Sequence, residues 1–153
     1  MDDGAELLHG TCVALGRAAA LLRGPSGSGK SDLALRFLFL ARRGPAAVER
    51  PALVADDQVC LRRSGSRILV ESPAAIRGKL EVRGVGIVEV KSIAEAELVL
   101  IADLVAETEV ERLPDTDATV SLLGVQIASV KLAAREPSAP IKLALALARA
   151  KQV

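Results

Sequence analysis

The stretch "GPSGSGKS", residues 24–31, constrains this chain most, because it fits G-x-x-x-x-G-K-[ST] without a mismatch. Its glycines allow backbone angles closed to other residues, so successive amide N–H groups can turn inward around phosphate oxygens. A helix that follows such a loop aims its positive dipole end at the same place. Upstream, "RAAALLR" reads as a strand. Downstream, "SDLALRFLFLARRG" has helical spacing, with Asp32, Arg36 and Arg43 on one side and Leu33, Phe37, Leu40 and Ala41 on the other. Gly44 followed by Pro45 is its expected stop. Gly24, Pro25, Ser26, Gly27, Ser28, Gly29, Lys30 and Ser31 therefore form a candidate nucleotide cradle. Lys30 can reach the β- and γ-phosphates, and the Ser31 hydroxyl can ligate magnesium.

The elements around this unit indicate an α/β domain. "HGTCVAL" reads as a strand turned at Gly16 into "RAAALLR". "PALVADD", "QVCLRR" and "RILVES" read as three more, the last two joined by "SGS" as a hairpin. "SPAAIRG" can hold one helical turn before "KLEVRGVGIVEV", where glycines punctuate a β-branched run. "AELVLIADLV" is continuously apolar, as a strand buried on both faces should be. "VQIASVKLAA" reads as a further strand. "SAPIKLALALARAK" reads as a closing helix, with Ser138 placed to cap it and Pro140 in its first turn. The expected fold is a P-loop kinase domain with a mixed β-sheet and flanking helices. The whole of residues 1–153 is expected to form one domain, since 50% hydrophobic content at this length can bury a core.

After a P-loop helix, the next strand should deliver a carboxylate to the metal side. "ALVADD" supplies two, Asp56 and Asp57, while "LVLIAD" offers Asp103 as a rival, read here as capping a strand end. Adjacent strand residues face opposite ways, so the pair suits a division of labour. One carboxylate can orient metal-bound water while the other accepts a hydroxyl proton during phosphoryl transfer.

Composition closes several other routes. A net charge of +1 gives no electrostatic case for nucleic acid or an anionic membrane surface. With no Trp or Tyr, stacking platforms for single strands are disfavoured. The acidic start "MDDGAE" is unlike a signal peptide, and "LVLIADLVA" is too short to span a bilayer, which together suggest a cytoplasmic protein. Cys12 and Cys60 have no metal-ligand spacing and read as small side chains rather than a disulfide. No N-K-x-D guanine reader and no transport-ATPase signature is present. Arg62, Arg63 and Arg67 flank a hairpin turn, where a phosphate-clamping lid and a solvated hairpin are both open readings.

"HG" at His9 and Gly10, "GPSGSGKS", "LVADDQV" and "LEVRGVGIVEV" together resemble the catalytic domain of the HPr kinase/phosphorylase family, whose fold is phosphoenolpyruvate-carboxykinase-like. The chain looks like a short form holding that domain alone. The resemblance implies an ATP- and Mg2+-dependent protein-serine kinase acting on HPr or an HPr-like phosphotransferase-system carrier, with reversal by inorganic phosphate left open. It implies Lys30 and the P-loop at the phosphates, Ser31 and Glu81 as magnesium ligands, and Asp57 as the general base. It also implies Asp56 on the metal side and His9 as the active-site histidine. The segment 83–87 would then shape the active-site loop. Arg112, in "VERLPD", matches a short stretch that carries a catalytic arginine in the family. The family's loop linked to dephosphorylation contains Pro, Gly and a basic residue; "KLAAREPSAP" here lacks the glycine but carries Arg135. A homo-hexamer is expected by the same resemblance, with the last helix between subunits. A small-metabolite kinase and a non-catalytic ATP-sensing module are the alternative readings.

Overall fold

The computed structural model describes residues 5–40 and 50–151. In chain order these form β1 (Glu6–His9), β2 (Thr11–Leu15), β3 (Ala18–Arg23), α1 (Lys30–Leu38), β4 (Pro51–Ala55), β5 (Gln58–Ser64) and β6 (Arg67–Glu71). A 3-10 turn at Ala74–Ile76 leads into β7 (Lys79–Val82) and β8 (Gly86–Glu89). Then come β9 (Glu95–Leu104), a second 3-10 turn at Glu107–Glu109, β10 (Thr119–Leu122), β11 (Val125–Leu132) and α2 (Ala139–Ala150).

Nine strands form one mixed sheet with the path β1-β5-β6-β9-β3-β2-β4, and β11 and β10 branch from β9. The branch exists because β9 has 10 residues. Its start pairs with β6 at Glu95–Glu97, and its end pairs with β11 from Leu100 to Leu104. The chain is parallel where β9 meets β3 and β11, and antiparallel elsewhere in the sheet. β7 and β8 form a separate hairpin.

Both helices cover one face. Leu33, Ala34 and Phe37 of α1 and Leu143 and Leu147 of α2 pack with Val13, Ala20, Leu22, Leu100 and Ala102. The opposite face is closed by the sheet itself, with Cys12, Ala14, Leu21, Leu61, Ile68 and Ile101 in a second cluster. Phe37 is fully buried, and burial of such a side chain contributes about 2–3 kcal/mol. Along β9 the inward parity changes: Ala96 and Leu98 face the second cluster, whereas Leu100, Ala102 and Leu104 face the helices. The register against β3 shifts there, Ala19 pairing with Leu98 and Ala20 with Leu100. A bulge at Val99 explains the change, since one extra residue moves the following side chains to the other face.

Several sequence expectations need correction. The strand expected from His9 is two strands: the chain bends at Gly10, and β1 lies at one edge of the sheet while β2 lies near the other, between β3 and β4. A Cβ at Gly10 would sit 3.0 Å from both Leu21 Cδ1 and the Leu22 carbonyl oxygen, so the bend needs glycine. β10 was not anticipated. Its turn uses Leu123 and Gly124, both at positive φ (49° and 79°), and leucine in that conformation carries none of the Asn-Gly signal of such hairpins. α1 ends at Leu38, where the Phe39 amide bonds the Leu35 carbonyl, short of the expected stop. Arg43, Gly44 and Pro45 lie outside the described residues. Ser138 stands at the N-cap of α2 but makes no side-chain cap bond. The Ala139 amide already donates to the Glu136 carbonyl, and Pro140 has no N–H to offer.

Candidate active site

The P-loop leaves β3 and enters α1. Gly24 is demanded by packing: a Cβ there would lie 2.5 Å from Ser28 Oγ. Gly29 caps α1 at φ 97°, a left-handed conformation open to glycine. Lys30 is buried and donates to the carbonyls of Gly24 (2.7 Å) and Pro25 (3.0 Å), which pins the loop's first turn to the helix start. Ser28 Oγ is buried without a hydrogen-bond partner among the described residues. An orphaned hydroxyl inside an anion cradle is unfavourable by about 1–3 kcal/mol, and a phosphate drawing the loop inward would relieve it.

Behind the loop, Asp56 is a buried hub. Its Oδ1 accepts from Ser31 Oγ at 2.7 Å and Thr11 Oγ1 at 2.9 Å, and its Oδ2 accepts from the Glu81 amide at 3.1 Å. One carboxylate thus ties α1, β2 and β7 together. Thr11 was missed by sequence reasoning, because nothing local marks a threonine whose partner lies 45 residues away.

Asp57 behaves differently. Its φ is 74°, and the Gln58 amide closes a three-residue turn onto the Asp56 carbonyl. Such a turn is a strained form rarely held by a non-glycine residue. It breaks the alternation of the strand and leaves Asp57 lining the cleft while Asp56 stays buried behind it. The Gly10 amide donates to the Asp57 carbonyl, and β1 carries His9 to the Asp57 side chain, Nδ1 to Oδ1 3.4 Å. The Asp57 side chain is 67% exposed.

His9, Lys30, Ser31, Asp57 and Glu81 line one open cleft of about 900 Å³, with Arg83 and Arg135 at its sides. Glu81 is exposed, next to buried Leu80 on β7. Arg36 of α1 donates to the carbonyls of Ala134 and Glu136 and pairs with Asp32, fastening the segment that bears Arg135. Arg112 is exposed and lies outside the lining of this cleft. Asp103 lies at the end of β9 and outside the lining of this cleft. It pairs with Arg23 through two bonds of 2.8 and 3.1 Å, across the parallel register of β3 and β9. The hairpin arginines are held elsewhere: Arg62 by Glu95, Arg67 by Glu97, and Arg63 by the carbonyls of Gly65 and Leu123. They form a salt-bridged hairpin rather than a lid. Cys12 and Cys60 are free thiols; burial pushes Cys12 far up, and burial and then the facing Glu71 raise Cys60.

Among the described residues no three His, Cys, Asp or Glu side chains converge as a metal cage. A magnesium ion keeps several waters and uses one or two protein ligands beside substrate phosphates. Ser31, with Asp56 behind it and Glu81 facing the same cleft, fits that requirement.

A P-loop between a strand and a helix, backed by a carboxylate from the end of β4 two strands away, defines an α/β domain of the P-loop kinase type. The chain belongs to the family described as HPr Serine kinase C-terminal domain, whose model matches residues 4–151. Among curated relatives, the HPr kinase/phosphorylase of Caldicellulosiruptor bescii is 35% identical over 141 residues, covering 83% of this chain and 42% of that protein. The HPr kinase/phosphorylase of Bordetella pertussis is 35% identical over 136 residues, covering 82% and 41% respectively. This chain therefore spans about two fifths of the length of these relatives. The fold matches that of the HPr(Ser) kinase/phosphatase from Coxiella burnetii with a TM-score of 0.76 at 19% identity, over 96% of this chain and 91% of the other. No helix among the described residues is long and apolar enough to cross a membrane.

Proposed function

We propose that this domain transfers the γ-phosphoryl group of ATP to a serine of HPr or an HPr-like phosphotransferase-system carrier, in the cytoplasm. The observation that carries this reading is the separation of the two aspartates. Asp56 is buried and committed to three donors, whereas Asp57 is exposed at the cleft mouth beside His9. An exposed base suits a hydroxyl presented by another protein, because a side chain on a folded surface cannot enter a closed pocket. Family membership and the relatives' names support the same reading.

Asp57 takes the proton of the serine hydroxyl as that oxygen bonds to the γ-phosphorus and the bond to ADP breaks. His9 orients the Asp57 carboxylate from its Oδ1 side. Lys30 and the loop amides hold the phosphates, while Arg83 and Arg135 place positive charge near the transferring group. Magnesium held by Ser31 and Glu81 would spread negative charge over the phosphate oxygens, with Asp56 fixing the Ser31 hydroxyl. In the reverse direction, with inorganic phosphate as acceptor, Asp57 returns the proton to the seryl oxygen. The exposed Ile141 and Leu145 on α2 offer an apolar strip for the homo-hexamer, which light scattering of the purified chain tests.

The reaction is checked with HPr, magnesium and γ-labelled ATP. Label should appear on serine with wild type and fall about 10³-fold with Lys30→Ala. Absence of label on every HPr-like acceptor tried would exclude the proposed substrate.

A further inference from the structure

Gly10 separates two residues that address the two aspartates. His9, before it, reaches the Asp57 side chain at the cleft mouth. Thr11, after it, opens β2 and donates to Asp56 Oδ1 at 2.9 Å. Sheet geometry puts Thr11 and Asp56 on the same face. Cys12 pairs with Ala55 but Val13 with Leu53, so Val54 is an extra residue on β4. Leu53 packs on the helix side, whereas Val54 and Ala55 both pack in the opposite cluster. The bulge thus returns the next side chain, Asp56, to the helix side. Val13 and Leu15 of β2 face that side too, and strand alternation places Thr11 with them.

Packing alone does not call for the Thr11 hydroxyl. The residue is fully buried in a strand, where valine would fill a similar volume and suit the strand as well. What the hydroxyl adds is the bond to Asp56. That carboxylate is gripped at both oxygens, by Thr11 at Oδ1 and by the Glu81 amide at Oδ2 (3.1 Å), which fixes its plane. In that orientation Oδ1 also accepts the Ser31 hydroxyl at 2.7 Å. A hydroxyl has one proton and two lone pairs, so Ser31 held in this way keeps a lone pair for a cation. Ser31 lines the cleft, as does Glu81, while Asp56 stands behind them.

We propose that Thr11 is a positioning residue for magnesium: acting through Asp56, its hydroxyl orients Ser31 toward the metal. The assignment rests on the nucleotide and magnesium reading above. Without the Thr11 hydroxyl, Asp56 keeps the Ser31 and Glu81 donors. The carboxylate is then free to turn about the bond that remains at Oδ2, and Ser31 turns with it.

Calorimetry of ADP binding to the full chain, run across a magnesium series and repeated in EDTA, tests it. Wild type should bind ADP more tightly as magnesium is added. Thr11→Val and Thr11→Ala both remove the hydroxyl, the first keeping the volume and the second not. In both, the magnesium midpoint should rise about 10–100-fold, while ADP affinity in EDTA stays near that of wild type. Thr11→Ser should restore the wild-type midpoint. An unchanged midpoint in the two variants, or an equal loss of ADP affinity with and without magnesium, overturns the assignment and leaves Thr11 a structural role alone. If wild type binds ADP with no response to magnesium, the metal reading fails and the assignment with it. If wild type binds no ADP under either condition, the nucleotide reading itself fails and takes the assignment too.

Discussion

The two walls of the candidate catalytic cleft are built on opposite terms. One is the buried anchor around Asp56, where a single carboxylate satisfies Thr11, Ser31 and the Glu81 amide. The other is the open wall of His9, Asp57 and the β7–β8 hairpin, with Val85 and Ile87 over 70% exposed. Removing part of the first wall strands buried donors, so it should act on folding as well as chemistry. The second wall carries little of the core and can meet an acceptor without disturbing the sheet. Adjacent residues thus belong to different regimes, and the strained turn at Asp57 is where one passes into the other.

Substitutions on each side can break or sharpen this contrast. Asp57→Asn should lower serine phosphorylation about 10²–10⁴-fold while chemical denaturation shows stability within about 0.5 kcal/mol of wild type. A large stability loss would erase the distinction between the walls. Asp56→Ala should cost about 3 kcal/mol or more of stability, because three donors lose their acceptor. Labelling should fall as well, since Ser31 loses its orientation; an unchanged melting curve would show that the hub does not hold the fold.

Arg36→Ala should be milder, about 1–2 kcal/mol, since it frees the carbonyls of Ala134 and Glu136 and loosens the segment carrying Arg135. A rise in KM for nucleotide with kcat little altered would place its effect on positioning. The smallest effect concerns the thiols. Cys12 sits beside Thr11 at the anchor and is fully buried, so alkylation should wait for unfolding. Cys60 is partly exposed with its thiol raised by burial and by Glu71 across the β5–β6 register. Its alkylation should be slow at neutral pH and speed up as pH rises and thiolate forms. Equal labelling of both thiols in the native protein would mean that the anchor opens readily.

The P-loop was legible because its constraints are local: glycine conformations, a lysine and a hydroxyl within eight residues serve one phosphate chain. Asp56, Asp57 and Glu81 were legible as acids in a pattern, though nothing in the pattern fixes the atoms that each one touches. The outer strands were harder to read. β1 was hidden in the run before Gly10, and β10 was disguised by leucine at a left-handed turn position. Asp103 was legible as a strand-end acid, but its pairing with Arg23 was not, because that partner comes from a different strand.

By itself the sequence determined a phosphate-binding strand–loop–helix, a mixed α/β domain around it, and the residue types available for phosphoryl transfer. These follow from backbone conformations and periodicities that act over a few residues. Only the tertiary structure decided which aspartate is anchor and which is free. That choice depends on Thr11, Ser31, Glu81 and His9, which are brought from four separate elements to the end of one strand. Hydrogen-bond partners so distant in the chain are set by sheet register and helix packing, and those become fixed only when the whole core closes.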